Sequence, residues 1–278
     1  MTLPPVNARR HEPLRVDEGA DQRPSLRRDR AGAFEDETTS IPSFTLEITA
    51  RRIGRSRGTT PVPLYHILFA PRTDTPSVTT EIAIVVYEGF DELDAIAPYE
   101  VFSNAADRGC DLEVSLRTLD ATEGVSASHG LRIGTDGPLA DADPDILLVP
   151  GGGWNDRADA SAWAEARKGD LPDAIAEFHE RETTLAAVCT GGMLLAEAGV
   201  LDGRPAVTHA SALDDLRETD AEVMDARVVD DGDVLTAGGV TSGLDLALHL
   251  VARRCGETAA EDVTRTIEYE PQGDVFET

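Results

Sequence analysis

Cys189 stands between the short apolar run Thr184–Val188 and a glycine pair, Gly191 and Gly192, that leads into a helix-forming stretch over 193–198. The chain must turn there from strand to helix, and the free N–H groups of a helix start stabilise an anion. A thiol in that place ionises more readily than a free cysteine and serves as a nucleophile. The same pattern also suits a small buried cysteine that fills space at a strand end. A second element, Pro150-Gly151-Gly152-Gly153, directly follows the apolar run Ile146–Val149. Glycines in that position either let backbone N–H groups approach a ligand as an oxyanion hole or form a flexible turn. Two such strand ends in one sheet converge on one site, which makes the pair more informative than either alone.

The other reactive residue types are scattered. His129 precedes Gly130 in a loop and is a candidate to line the pocket, whereas His179 and His249 fall on helical stretches as surface or interface residues. No His-X-X-X-His pair or closely spaced Cys/His set occurs, so neither a metal centre nor a cofactor is expected. Cys110, Cys189 and Cys255 form neither a Cys-X-X-Cys pair nor a dense framework. That spacing speaks against a disulfide scaffold and for free thiols, with Cys110 and Cys255 in structural places. Trp154, just past the glycines, either covers the site or packs.

Charge excludes some functions. A formal net charge of −27 repels nucleic acid and anionic membrane, so neither is expected as a partner. Lys168 is the one lysine, against 52 acidic residues, the balance of a protein kept soluble in concentrated salt; an acidic interaction surface is the rival reading. No run approaches the ~18 apolar residues of a membrane span, and the N-terminus lacks a secretion pattern, so a cytoplasmic place is expected.

These residues need elements to hold them. Residues 1–80 carry 12 arginines against 10 acids, whereas 81–278 carry 13 basic against 42 acidic residues. The first segment, 1–79, has no sustained period beyond a short apolar run at 64–70 and reads as a disordered extension or a start codon placed too far upstream. From residue 80 to 272 strands and helices alternate. Strands are predicted at 82–87, 112–119, 146–149, 184–188 and 206–208. Helices are predicted at 93–104, around Leu171, Ala174, Ile175 and Phe178, and at 242–254 and 258–268. A hairpin over 225–237 turns on Asp231-Gly232. On the first helix Leu93, Ile96, Ala97 and Val101 share one face. Near-continuous apolar strands alternating with helices predict an α/β fold, a doubly wound, mostly parallel sheet with helices on both faces. Residues 273–278 are left as a tail.

Five segments together, EGFDELDAIAPYEVF at 88–102, LLVPGG at 147–152, AVCTGG at 187–192, VTH at 207–209 and IEYEP at 267–271, resemble the ThiJ/PfpI family over nearly all of 81–272. The resemblance implies a flavodoxin-like sandwich and a cysteine nucleophile elbow. It matches Cys189 to the family nucleophile and Asp94 to the acidic residue that contacts it, while Asp91 and Glu92 do not take that position. Gly152 and Thr190 match the backbone donors of the oxyanion pocket, with Gly151 beside them and the Thr190 side chain assisting. His209 matches a histidine near the cysteine in several branches. Protease-like members place a histidine directly after the cysteine; Thr190 stands there in this chain, and proteolysis loses its base. Thr190 and the closing IEYEP resemble the isonitrile hydratase branch.

That branch implies a hydro-lyase acting on a small-molecule substrate, an isocyanide, and giving an N-substituted formamide. A glyoxalase or deglycase acting on α-oxoaldehydes is the alternative within the family. A ligand or redox sensor with a reactive cysteine and no turnover is the alternative outside enzymology. Family regulators carry a helix-turn-helix domain after this core, whereas about seven residues follow Pro271 here. A homodimer is implied by the family alone.

Overall fold

The computed structural model describes residues 79–278. The extension expected over 1–79 lies outside them, Thr79 excepted. In chain order, β1 (Thr80–Val85) feeds α1 (Glu92–Asp107), then β2 (Leu112–Arg117), a small hairpin of β3 (Gly124–Ser126) and β4 (Arg132–Gly134), and β5 (Ile146–Val149). Helices α2 (Ala162–Lys168) and α3 (Asp170–Glu180) lead to β6 (Thr184–Val188) and α4 (Gly191–Glu197). After β7 (Pro205–Ala206), α5 (Leu213–Arg217) and β8 (Glu222–Val223) come the hairpin β9 (Val228–Asp230) and β10 (Val234–Ala237). The last elements are α6 (Ser242–Cys255), α7 (Glu257–Ile267) and β11 (Val275–Glu277).

Seven strands form the central sheet in the order β11-β9-β10-β6-β5-β1-β2. The five from β10 to β2 run parallel, and β9 is antiparallel to β10 across the predicted hairpin. Ile146 to Val149 and Leu185 to Val188 are fully buried, as a sheet covered on both faces requires. One layer of helices is α1, α6 and α7, the other α2, α3 and α4, each packed among its own members. This is the doubly wound, mostly parallel sandwich read from the sequence. Its nucleophile elbow and the predicted glycine loop both lie at the C-terminal edge of the parallel strands, at the ends of β6 and β5.

Several local expectations change. On α1 the buried stripe is Asp94, Ala97, Pro98, Val101 and Ala105, and Leu93 is exposed. Asp91 fixes this rotation: its side chain accepts a hydrogen bond from Leu93 N and starts the helix there. The strand predicted at 206–208 ends at Ala206, because Val207 N donates to the Thr236 side chain and Thr208 Oγ1 donates to Cys189 O. The tail is not loose along its whole length: β11 pairs parallel with β9 at the sheet edge. Cys110 and Cys255 are joined to each other as a disulfide, with Cα atoms 5.8 Å apart, and only Cys189 remains a free thiol. Sequence spacing missed that bond because 145 residues separate the two, and the packing of α1 on α6 is what brings their ends together.

Candidate active site

Cys189 ends β6 in a left-handed backbone conformation, φ +58°, which a residue with a Cβ seldom adopts. The surroundings hold it there. Cys189 N donates to Ala237 O and Gly238 O at 3.0 and 2.9 Å, and Cys189 O accepts from Thr208 Oγ1 at 2.9 Å. The backbones of residues 89–91, 151–153 and 189–191 then meet with no room for side chains. A Cβ on Gly191 would overlap Val149 O, and one on Gly151 would overlap Thr190 N. Both glycines of the predicted loops therefore serve close backbone approach.

Asp94 is fully buried and reaches this junction from the first turn of α1. Its Oδ2 accepts from Gly151 N at 2.9 Å. Its Oδ1 is also buried and accepts no hydrogen bond from any oxygen or nitrogen group among the described residues; the Cys189 thiol faces the carboxyl. Burial, then the charge of Asp91, push the Asp94 carboxyl up from 3.8 to about 8, against the lowering pull of Gly151 N–H and Cys189. Burial and then the Asp94 charge push the Cys189 thiol up as well, against a hydrogen bond from Thr190 N. The easily ionised thiol expected at a helix start is thus corrected. A seven-residue helix does not outweigh burial beside a carboxylate. The two groups titrate as a pair, and the singly protonated pair holds one proton between sulfur and carboxyl.

The oxyanion pocket also differs from expectation. Gly152 N donates to Thr190 Oγ1 at 2.9 Å, and Gly151 N is taken by Asp94, so neither glycine amide is free in this state. Thr190 Oγ1 accepts one bond and keeps its own proton to give. Thr190 is buried, and it is its backbone N–H that reaches the Cys189 sulfur.

His209 lies one residue beyond Thr208 at the same sheet edge. Its Nδ1 accepts from Ser211 N at 3.2 Å and sits 2.7 Å from Ser211 Oγ, which donates to Asn155 Oδ1 at 2.6 Å. It forms no hydrogen bond to Cys189 or Asp94. His129 is corrected from pocket lining to rim: largely exposed, it pairs with Glu92 at 2.7 Å. Burial would raise Glu92, but hydrogen bonds from the His129 side chain and backbone and from Ser128 hold it at about 2. Asp91, Glu92 and His129 each place one donor atom within 4.8 Å of the others. Glu92 is spent on His129 and Ser128, and Asp91 on Leu93 N, so the set is already satisfied without an ion. Trp154 packs: it is buried, donates to Asp215 Oδ2 at 2.6 Å and meets Trp163 edge to face at 5.2 Å.

Sequence reading missed Tyr87. Its buried hydroxyl donates to Pro150 O at 2.8 Å and fixes the start of the glycine loop from two residues beyond β1. Asp94 itself carried a sequence signal independent of any resemblance, an acid at the start of the apolar series 94, 97, 98, 101, 105.

A family model described as the DJ-1/PfpI family matches residues 80–253. Isonitrile hydratase of Pseudomonas putida is 30% identical over 192 residues, covering 69% of this chain and 79% of that protein. A ThiJ/PfpI family protein from Pseudomonas syringae has a TM-score of 0.62 at 28% identity, covering 75% of this chain and 84% of the other. Drosophila melanogaster DJ-1beta shares the fold, with a TM-score of 0.60 at 22% identity over 69% of this chain and all of the other. Among the described residues, no helix is long and apolar enough to cross a membrane.

Proposed function

This chain belongs to the DJ-1/PfpI family, and from that premise we propose that it is a cysteine-dependent hydro-lyase that hydrates an isocyanide to an N-substituted formamide. The observation that carries the reading is the buried pair Asp94 and Cys189, whose carboxyl is held near 8 with one oxygen left without a hydrogen-bond partner. An isocyanide carbon is both electrophilic and basic once attacked, so it needs a nucleophile and a proton donor on the same side. The pair supplies both.

In this reading the Cys189 sulfur bonds to the isocyanide carbon while Asp94 gives that carbon the shared proton, leaving a neutral thioimidate and an Asp94 carboxylate. Asp94 then takes a proton from water as the oxygen adds to the same carbon and passes it to the nitrogen, where Thr190 Oγ1–H is the hydrogen-bond donor. The C–S bond breaks, the sulfur leaves with the bonding pair, and the hydroxyl gives its proton to Asp94 as it becomes the formamide carbonyl. One water is consumed and the pair returns to its starting charge. Thr190 stands where protease-like members place a histidine, so the base those members use beside the sulfur is missing. The working form in this reading is a cytoplasmic homodimer.

The test is a panel of isocyanides and α-oxoaldehydes assayed in high salt with the wild type and Cys189→Ser. Formamide production that Cys189→Ser abolishes is the expected result. Turnover of α-oxoaldehydes alone would replace the hydratase reading with a glyoxalase. No turnover, together with oxidation of Cys189 by peroxide, would replace it with a sensor.

A further inference from the structure

At the end of the sheet opposite the active site, Cys110 lies just beyond α1 and Cys255 is the last residue of α6. We propose that the Cys110–Cys255 disulfide exists in the native protein, is opened by small thiols, and clamps α1, whose other end carries Asp94, to α6, whose other end packs on Val188 beside Cys189. The inference rests on the fold alone and is independent of the chemistry proposed for that pair.

Three observations carry it. First, α1 and α6 pack against each other, and near their starts the contact reaches the nucleophile strand. A Cβ on Gly243 of α6 would lie 3.1 Å from the Val188 side chain and 3.4 Å from Pro98 of α1. A bond across their ends therefore fixes the pitch of Asp94 on α1 against β6. Second, the bond is not sealed in the core. Both cysteines are partly exposed, at a surface cavity of about 400 Å³ walled by Arg108, Asp111, Arg254, Thr258 and Asp262. Third, the chemistry around it favours exchange. Arg108 and Arg254 wall the same cavity as the two cysteines and offset Asp111 and Asp262 there, so the thiolate that leaves when the bond opens does not meet an unbalanced negative charge. The remaining thiol, Cys189, is buried at the far edge and does not compete.

The exchange balances with a monothiol as the co-reactant. The attacking thiolate bonds to one sulfur and expels the other as a thiolate; a second small thiol then displaces the mixed disulfide. Two small thiols become one small disulfide, and Cys110 and Cys255 each end as a thiol.

The experiment blocks thiols during lysis and counts those left free in the denatured full chain, then titrates native protein with a glutathione redox buffer. The expected count is one, Cys189, rising to three after full reduction. Reduction should lower the thermal midpoint by roughly 10 °C, the scale of closing so long a loop, and reoxidation should restore it. Cys110→Ala with Cys255→Ala should sit at the lower midpoint and ignore the buffer. The pH midpoint for Cys189 alkylation should move on reduction, as Asp94 is released from its fixed pitch. Three blocked thiols at lysis, a bond that glutathione does not open in the folded state, or opening with no change in midpoint would each overturn the proposal. If the double variant does not fold, the wild-type titration alone decides.

Discussion

Two buried aspartates in this domain are treated in opposite ways. Asp230, on β9, accepts from Gly232 N at 2.9 Å, pairs with His249 at 2.6 Å and takes two bonds from Arg253 at 3.0 and 2.9 Å. Asp94 has one backbone N–H, no cation, and one buried oxygen with no hydrogen-bond partner among the described residues. Burying a carboxylate costs several kcal/mol unless cations and donors replace water. At Asp230 the fold supplies them, and at Asp94 it withholds them. Burial with partners marks a structural charge; burial without them marks a proton held for use.

The largest break in that comparison is Asp94→Asn. The amide keeps the bond from Gly151 N but has no proton to transfer, so turnover should fall by roughly 10²-fold or more while Cys189 is still alkylated by iodoacetamide. Stability should move the other way. The folded pKa of Asp94 is raised from 3.8 to about 8, so its contribution to stability is complete below about 4 and is lost as pH rises to about 8. Asparagine escapes that loss. At pH 8 the variant should be more stable by a few kcal/mol, read as a higher thermal midpoint, with little difference at pH 4. Equal midpoints at pH 8 would mean that Asp94 carries no unrelieved burial cost.

Asp230→Asn should do the reverse, lowering stability by about 2 kcal/mol at neutral pH, since it strips the charge that Arg253 and His249 share, and leaving turnover intact. Denaturant unfolding beside a turnover assay separates the two effects. A smaller, diffuse effect comes from the acidic surface. With 42 acids against 13 basic residues over 81–278, unfolding midpoints should rise between low and molar salt. The smallest effect is expected for Asp91→Asn. Asparagine still caps α1, so turnover should stay within a few-fold, while the lost charge lowers the Asp94 midpoint on a pH profile.

The sheet was legible because its strands are fully buried apolar runs whose lengths match the observed elements almost residue for residue at 146–149 and 184–188. The elbow was legible for the same reason: a cysteine between such a run and a glycine pair leaves the chain one way to turn. What escaped depends on tertiary distance. The Cys110–Cys255 bond needs two helices to be packed before its partners are neighbours. The capture of Gly152 N by Thr190 needs two loops to be in register. The reluctance of Cys189 to ionise depends on how deeply the thiol and Asp94 are buried together, which no local pattern encodes. Leu93 was misplaced because the α1 stripe contains an acid, and apolar periodicity alone rotates such a helix toward its nearest leucine.

One measurement tests the shared proton most directly: the rate of Cys189 alkylation by iodoacetamide against pH, in wild type and Asp94→Asn. The wild-type profile should bend near 8, where Asp94 loses its proton and its charge begins to hold back the neighbouring thiol, and Asp94→Asn should lose that bend. An identical profile in both proteins would contradict the account, because the sulfur would then titrate without reference to Asp94.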